Sequence, residues 1–294
     1  MRIVSWNNNY VRLRIDMLKR VADELQPDFL CLQEIKAQES DFPTDGVAEA
    51  GFAHQHFRGM KGYNGVAILS STPLADGGTR LWCDREDCRH VAADIGDGTE
   101  LHNFYVPAGG DEPDPAINEK FAHKLDFLSE ATDWSKGLSK KGKRILVGDL
   151  NIAPSEADVW SHKQLLKVVS HTPVEVEALE AWRAAHGWVD AIRAIVPEDE
   201  KLYSWWSYRN RTWPGSDKGR RLDHIWVSPA LAGNVSDAGV FRDARGWEKP
   251  SDHAPVWADI DPSNSFRCLR GTGLPRPGRG FTSRLRQCRT RTWS

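Results

Sequence analysis

Cysteine is scarce in this 294-residue sequence, and no apolar run approaches the length of a membrane-spanning helix. The five cysteines are an odd number and only Cys83 and Cys88 lie close together, so neither a disulfide framework nor a zinc site is indicated. Crossing a bilayer takes roughly 20 consecutive apolar residues, and the N-terminal MRIVSW lacks the basic and then apolar regions of a secretory signal. These absences predict a soluble cytoplasmic protein with reduced thiols and no membrane association.

Net positive charge is also lacking, except at one end of the chain. The formal charge is -2, yet residues 263–294 hold eight Arg and no Lys, Asp or Glu, which leaves 31 basic against 41 acidic residues in the first 262. Because a net negative charge does not attract a polyanion, any nucleic acid would have to be bound by local clusters of basic side chains. The segment 263–294 shows no periodicity and predicts a basic, disordered tail after a folded domain at 1–262. A nucleic-acid-binding arm is the functional alternative for this tail.

Apolar runs of strand length recur over the first 260 residues, with a few helical patterns between them. The runs are 3–6, 29–32, 66–69, 91–95, 101–106, 145–147, 225–227 and 255–260, and apolar residues at helical spacing occur within 15–25, 121–128 and 176–183. Because most runs are not separated by a helix, many strands must pair antiparallel. The pattern predicts an α/β protein with two packed sheets flanked by helices, rather than a doubly wound parallel sheet.

Polar side chains stand at the ends of five of these runs. They are Asn7, Asn8 and Asn9, then Gln33 and Glu34, then Asp149 and Asn151, then Asp223 and His224, and finally Asp252 and His253. Each of these groups alone is accounted for by a strand-end turn or a helix cap. Together they indicate a hard-cation site, because carboxylate and amide oxygens suit Mg²⁺ or Mn²⁺, whereas the scarcity of Cys and of paired His disfavours zinc.

Eight motifs in this order resemble the exonuclease III family of DNA-repair nucleases, and in particular its bacterial subgroup. They are Ser5-Trp6-Asn7 with Asn9, Gln33-Glu34-Ile35-Lys36, the segments YNGVAI (63–68) and NFYVP (103–107), GDLNIAP (148–154), WWSYR (205–209), RLDH (221–224) and SDHAP (251–255). The resemblance covers about residues 1–261 and implies a four-layered α/β sandwich, in which two mixed β-sheets pack face to face and are flanked by helices. This chain departs from the family at Asn8, which is usually apolar, and at Tyr10, which is usually small.

The resemblance also implies an activity, a cofactor and catalytic roles. The activity is Mg²⁺-dependent hydrolysis (with Mn²⁺ as an alternative) of the phosphodiester 5′ to an abasic site in double-stranded DNA, with 3′–5′ exonuclease and 3′-end cleaning. Glu34 is the principal metal ligand by this resemblance, and the metal site as a whole comprises Asn7, Asn9, Glu34, Asp149, Asn151, Asp252 and His253. Asp149 orients or deprotonates the attacking water, Asn151 donates to a phosphoryl oxygen, and Tyr105 donates to the phosphate or the leaving oxygen. Asp223 fixes the tautomer and charge of His253.

A second set of residues is assigned to the DNA. By the resemblance, Trp205 and Leu222 line a pocket for a flipped-out abasic sugar, and the DNA backbone is contacted by Lys61, Tyr63, Asn64 and Arg89. Taken singly, several of these site residues have plainer interpretations: Asp223 as a surface ion pair with its neighbouring arginines, His253 as a core histidine, and Tyr105 as core packing. Tyr105 alternates with Phe104 and Val106, so we expect its side chain on the opposite face of the strand from theirs.

Two other functions are compatible with the same fold. One is a phosphoesterase of the same superfamily acting on a substrate other than DNA, and the other is a non-catalytic DNA-binding relative. The YNGVAI and WWSYR segments speak against the first, and the presence of Glu34, Asp149 and His253 among the expected site residues speaks against the second. We expect a monomer, since no heptad or apolar surface stripe indicates a dimer.

Overall fold

The structure of this protein is a computed structural model that describes residues 1–210 and 212–261. Arg211 and the predicted tail at 263–294 lie outside the described residues. The strands are β1 (Arg2–Asn7), β2 (Phe29–Gln33), β3 (His54–Met60), β4 (Tyr63–Ser70), β5 (Ala75–Asp76), β6 (His90–Asp94), β7 (Thr99–Tyr105), β8 (Lys143–Asp149), β9 (Val189–Asp190), β10 (Trp205–Trp206), β11 (Gly219–Arg220), β12 (Asp223–Val227), β13 (Val235–Val240) and β14 (Val256–Ile260). The helices are α1 (Ile15–Leu25), α2 (Thr44–Glu49), α3 (Glu119–Lys136), α4 (His162–Leu165), α5 (Pro173–His186) and α6 (Trp213–Ser216).

Two six-stranded sheets are formed, and each has one parallel pair near its centre. The first has the order β13-β14-β1-β2-β4-β3, and the second β5-β6-β7-β8-β12-β9. β1 pairs parallel with β2 and β7 with β8, while all other pairs among the described strands are antiparallel. Both sheets are therefore mixed, and each places two carboxyl-terminal strand ends side by side.

Alternation along the strands divides the molecule into four layers. In β1, Ile3 joins the core between the two sheets, whereas Val4 packs beneath α1 on the outer face of the first sheet. On the second sheet Leu146 of β8 faces outward, against Phe127 of α3 and Trp182 of α5. The order is thus helix, sheet, sheet, helix, which confirms the predicted α/β sandwich.

The eight predicted strands and three predicted helices are present, but several elements were not predicted. β3 (HQHFRGM) and β13 (VSDAGV) are edge strands whose residues are mostly half-buried or exposed. An edge strand has a neighbour on one side only and needs few apolar residues, so its sequence carries little periodic signal. No helix in the described part of the chain is both long enough and apolar enough to span a membrane.

A buried ion network joins the second sheet to the segment after β8. The guanidinium of Arg221 donates to Asp158 at 2.8 and 3.0 Å and to Asp190 at 2.6 Å. Burial alone would raise the pKa of both carboxyls, but the charge of Arg221 outweighs it and lowers them. Since Arg221 directly precedes Leu222 and Asp223, the network also fixes the start of β12.

Arg221→Met should lower the free energy of unfolding by about 3–5 kcal/mol at neutral pH, because it leaves the largely buried Asp190 without its arginine and buried Asp158 with Arg193 alone. Carboxyls with lowered pKa values contribute stability above their unfolded pKa of about 4, and this contribution is lost as the pH falls through the folded values. The difference between wild type and variant should therefore shrink on acidification. Urea unfolding between pH 7 and pH 3 measures both effects.

The matched control is Arg183→Met, which removes a half-exposed arginine paired with Glu180 on α5. Exposed pairs contribute little, so this variant should unfold almost as the wild type does. Two results would contradict a stabilising role of the Arg221 network. One is a loss of unfolding free energy for Arg221→Met no larger than that of the control, and the other is a loss that stays the same at low pH.

Candidate active site

The carboxyl ends of the two parallel strand pairs open onto one cleft. In the first sheet Asn7 is paired with Gln33, and in the second Tyr105 is paired with Asp149. The main cleft, of about 800 Å³, is lined among others by Glu34, Tyr105, Asp149, Asn151, Trp205, Leu222, Asp252 and His253. An adjoining side cleft of about 620 Å³ shares Glu34 and Tyr105 and is lined also by Lys36, Tyr63, Asn64 and Arg89. The topology thus gathers most of the predicted site residues.

Asn7 connects the two sheets at the floor of the main cleft. Its side chain is fully buried, and its Nδ2 donates to Glu34 Oε1 and to Asp149 Oδ2, both at 2.9 Å. Its Oδ1 accepts the backbone N–H of Asn9 at 3.1 Å. One neutral amide therefore bridges two carboxylates from different sheets that would otherwise repel each other.

Glu34 is surrounded by groups that keep it ionised. Burial alone would raise the pKa of this carboxyl, but Lys36 and the Asn7 amide lower it below its usual value. The Lys36 ammonium lies 2.6 Å from Glu34 Oε2 and 2.6 Å from Asn9 Oδ1. Asn9 in turn donates through Nδ2 to Asp252 Oδ1 at 3.2 Å. Oxygens of Glu34, Asn9 and Asp252 are thereby gathered on one side of the cleft.

Left-handed backbone turns direct these side chains. Asn9, Glu34 and Asn151 have φ values of 47°, 51° and 55°, a region that costs non-glycine residues energy and is frequent at functional sites. The loops after β1 and β2 hold each other in place, since the Tyr10 N–H donates to the Glu34 carbonyl at 2.9 Å. Each of these two loops therefore supports the strained turn of the other.

Asp252 is held by uncharged donors. Trp205 Nε1 donates to Asp252 Oδ2 at 3.0 Å, and Asn9 Nδ2 donates to Asp252 Oδ1 at 3.2 Å. The backbone N–H of Asp252 donates to the Tyr208 hydroxyl at 3.0 Å. Burial would raise the pKa of Asp252, but the charge of His253 and the hydrogen bonds from Trp205 and Asn9 lower it. Asp252 is therefore an ionised carboxylate, in keeping with its predicted position on the metal side.

His253 lies between two aspartates. Its Nδ1 donates to Asp223 Oδ2 at 2.8 Å, and its Nε2 lies 3.7 Å from Asp149 Oδ2. Burial by itself lowers the pKa of His253, but Asp223 and Asp149 together raise it to about 10, so the imidazole is charged at neutral pH. Asp223 is fully buried and also accepts from Ser204 Oγ at 2.6 Å. The alternative of a surface ion pair for Asp223 is therefore wrong.

Asp149 has the opposite electrostatic character from Glu34. Burial raises its pKa to about 7, while the charge of His253 and the Asn7 amide oppose that rise. Its Oδ1 accepts the backbone N–H of Asn151 at 3.0 Å, so both of its oxygens have donors. A carboxylate that is oriented in this way and titrates near neutrality can accept a proton from water.

Asn151 and Tyr105 border the same space. Asn151 Nδ2 donates to the Val106 carbonyl at 2.9 Å and retains a second amide hydrogen for a ligand. Burial raises the pKa of Tyr105, so its hydroxyl remains a neutral donor. Tyr105 belongs to the core between the sheets, and Phe104 to the core outside the second sheet, which confirms the expected alternation.

The residues predicted to contact the DNA backbone fall into two groups. Tyr63 is exposed at the rim of the side cleft, and Lys61 occupies the β3–β4 turn without lining either cleft. Asn64 is buried and donates to the Asp87 carbonyl at 2.9 Å, and Arg89 is paired with the Asp87 carboxylate. Asn64 and Arg89 therefore support the side cleft from within.

A buried ion pair behind the main cleft was not predicted. Lys124 of α3 and Glu175 of α5 have fully buried side chains, with Nζ 2.5 Å from Oε1. The same ammonium donates to the Asn151 carbonyl at 2.9 Å and to the Ala108 carbonyl at 3.2 Å. The only sequence signal is the Thr172-to-Glu175 spacing of a capping box, which marks the start of α5 and says nothing of Lys124.

This chain is similar to known proteins in sequence and in fold. The Endonuclease/Exonuclease/phosphatase family matches residues 4–253. Exodeoxyribonuclease III of Haemophilus influenzae is 33% identical over 88% of this chain and 100% of its own length. An AP endonuclease from Archaeoglobus fulgidus superposes with a TM-score of 0.82 at 31% identity, over 89% of this chain and 99% of that one. A 3′ phosphatase from Neisseria, bound to a product DNA hairpin, gives a TM-score of 0.81 at 31% identity, over 89% and 99% of the two chains.

Removing one partner of the Lys124–Glu175 pair should be strongly destabilising. Lys124→Met and Glu175→Gln should each lower the free energy of unfolding by about 3–5 kcal/mol, because the remaining group is buried without its partner. The double variant should lose less than the sum of the two. Urea unfolding of the four proteins gives the coupling energy.

The control cycle uses an exposed pair of the same residue types, Lys19→Met and Glu49→Gln, which should show little coupling. Strictly additive losses at Lys124 and Glu175 would refute their pairing.

Proposed function

This chain belongs to the Endonuclease/Exonuclease/phosphatase family as a DNA-repair nuclease, and we propose that it hydrolyses the phosphodiester 5′ to abasic sites in double-stranded DNA. We include 3′–5′ exonuclease and 3′-end cleaning, in keeping with the names of its relatives, which are an exodeoxyribonuclease III, an AP endonuclease and a 3′ phosphatase. The observation that carries the proposal is the convergence of Glu34, Asp149 and His253, with Asp223 behind it, on one cleft.

Divalent cation binding is proposed at Glu34, Asn9 and Asp252. Glu34 and Asp252 have lowered pKa values, and oxygens of Glu34 and Asn9 already surround the ammonium of Lys36, so this donor set suits a hard cation. In the described part of the chain, Asp149, Asp223 and His253 form the only cluster of three acidic, His or Cys side chains whose ligand atoms all lie within 4.8 Å. His253 Nδ1 is engaged by Asp223, whereas the oxygens of the first set suit a hard cation, so we favour the first set. Mg²⁺ or Mn²⁺ bound there would reduce the repulsion between the phosphate and the carboxylates and stabilise charge on the phosphorus.

The attacking water is assigned to Asp149. The two N–H donors on its carboxylate, from Asn7 and from the backbone of Asn151, orient it toward the cleft. Its raised pKa makes it a better proton acceptor than an ordinary aspartate. Asp149 therefore orients the water and takes its proton as the new bond to phosphorus forms.

The phosphate is assigned to three donors around Asp149. His253, kept charged by Asp223, offers Nε2 to a phosphoryl oxygen, and Asn151 offers its second amide hydrogen. Tyr105 offers its hydroxyl to the phosphate or to the leaving oxygen. These donors are preorganised in a largely buried site, where charge stabilisation is most effective. The products are a 3′-hydroxyl and a 5′-phosphate.

Trp205 and Leu222, on the wall of the main cleft, are assigned to the abasic sugar. The Arg220 guanidinium lies 5.3 Å from the centroid of the Trp205 ring, and Lys218 Nζ lies 4.7 Å from that of Trp160. Apolar surface next to basic groups suits a deoxyribose flanked by phosphates. An extruded abasic nucleotide fits this wall at low cost, because no base has to leave the stack.

Other parts of the proposal rest on the sequence. We retain a monomer in the cytoplasm, backbone contacts of the DNA with Lys61, Tyr63, Asn64 and Arg89, and a catalytic domain at 1–262. The tail at 263–294 remains a predicted basic appendage or DNA-binding arm. Deleting it and comparing how DNA affinity depends on salt decides between these two, because an arm that neutralises phosphates steepens the dependence.

We expect cleavage of a duplex that carries one tetrahydrofuran abasic analogue, immediately 5′ to the lesion, with Mg²⁺ and not with EDTA. The reason is that a phosphate entering a cleft of carboxylates needs a cation. Gel analysis of end-labelled strands shows the cut position. Cleavage in EDTA, or none with Mg²⁺, contradicts the proposal. Faster hydrolysis of inositol phosphates or phospholipid esters than of DNA would favour the alternative phosphoesterase.

Asp149→Asn should lower the cleavage rate by about 10²–10⁴-fold, the usual loss when a general base is removed. Folding should be retained, because burial already disfavours the charged carboxylate and the neutral amide is of the same size. Single-turnover cleavage and urea unfolding measure the two effects. Asp133→Asn, an exposed aspartate on α3, is the control and should cleave like the wild type. A variant at position 149 that keeps its rate would exclude this base.

A further inference from the structure

The ammonium of Lys36 contacts two of the oxygens that we propose as ligands of a divalent cation. Its Nζ lies 2.6 Å from Glu34 Oε2 and 2.6 Å from Asn9 Oδ1. The Lys36 side chain is only 19% exposed, and its backbone has a left-handed φ of 49°. The ammonium is therefore a fixed part of the site rather than a mobile surface charge.

The Tyr10 ring also contacts this ammonium. Lys36 Nζ lies 4.8 Å from the centroid of the Tyr10 ring, within the range of a cation–π interaction. The ring is directed there by a φ of 87° at Tyr10 and by the hydrogen bond from its N–H to the Glu34 carbonyl. The ring thereby supplies a third contact for the lysine.

Charge balance explains why a cation is needed there. Glu34 is largely buried and shares the Asn7 amide with Asp149. A positive charge against Glu34 offsets its negative charge, and Lys36 supplies that charge from within the chain at 2.6 Å. A divalent ion would satisfy the same demand. The Lys36 ammonium and a divalent ion would therefore bind the same oxygens of Glu34 and Asn9.

We propose that Lys36, held by the Tyr10 ring, is a built-in counter-cation that competes with the divalent ion for Glu34 and Asn9 and so sets the affinity of the site for that ion. The inference rests on the proposed function, which places the ion at these oxygens. It makes Lys36 and Tyr10 positioning residues that act through Glu34. If Lys36 instead prearranged the ligands and aided binding, replacing it would weaken the binding of the divalent ion.

The test is direct binding of Mn²⁺ to the full-length protein without DNA, by calorimetry and by the electron paramagnetic resonance signal of free Mn²⁺. Lys36→Met should bind more tightly, by ~10-fold, because a positive charge beside the ion is removed. Lys36→Arg keeps the charge and should resemble the wild type. Tyr10→Ala should tighten binding by about 3-fold, since a cation–π contact is a modest interaction, while Tyr10→Phe keeps the ring and should change nothing.

Two further variants separate the possible failures. Lys120→Met removes an exposed lysine from the side cleft and should leave Mn²⁺ affinity unchanged. Glu34→Gln should abolish the binding; if the wild type binds no Mn²⁺, or binds it equally well without Glu34, the metal site of the proposed function fails. If binding depends on Glu34 but Lys36→Met leaves it unchanged or weakens it, the competition is refuted and the proposed function stands. Near-ultraviolet circular dichroism confirms that each variant is folded.

Discussion

The site depends on one amide that holds two carboxylates together. Asn7 Nδ2 donates to Glu34 of the first sheet and Asp149 of the second, and the pairing of β1 with β2 and of β7 with β8 brings the three within reach. Two buried carboxylates at such a place repel each other and lose hydration. A neutral donor shared between them lowers that cost without adding charge. The two packed sheets thus position the Asn7 amide so that two buried carboxylates can lie close together.

Much of this arrangement could be predicted from the sequence, because Glu34 and Asp149 directly follow buried apolar strands, which are the clearest signals in the chain. The family resemblance then supplied their partners. Lys124 and Glu175 could not be found in this way, since they lie 51 residues apart on helices whose packing is decided by tertiary contacts. Edge strand β3 was missed for a related reason. Few of its residues are buried in the core, so its sequence shows neither a run of apolar residues nor an alternation of apolar and polar ones.

The interior cations follow a common rule. Glu34 is matched by Lys36 and Asp223 by His253, and in each case carboxylate and cation are in direct contact and largely buried. A buried pair of this kind gains little net stability. Its effect is to hold each group in a defined charge state and direction. This is what phosphoryl transfer requires of a site that must meet an anion without rearranging.

Asp149 is the exception to this rule, and the exception accounts for the role proposed for it. Glu34 and Asp252 have lowered pKa values and remain anionic, as the ligands proposed for the cation must. Asp149 has two neutral donors and a charged imidazole at 3.7 Å, beyond hydrogen-bonding distance, so burial prevails and its pKa rises. Environments that move the pKa values of neighbouring acids apart separate their tasks. In the proposed mechanism, Asp149 is the carboxylate that exchanges a proton with water, while Glu34 and Asp252 stay charged.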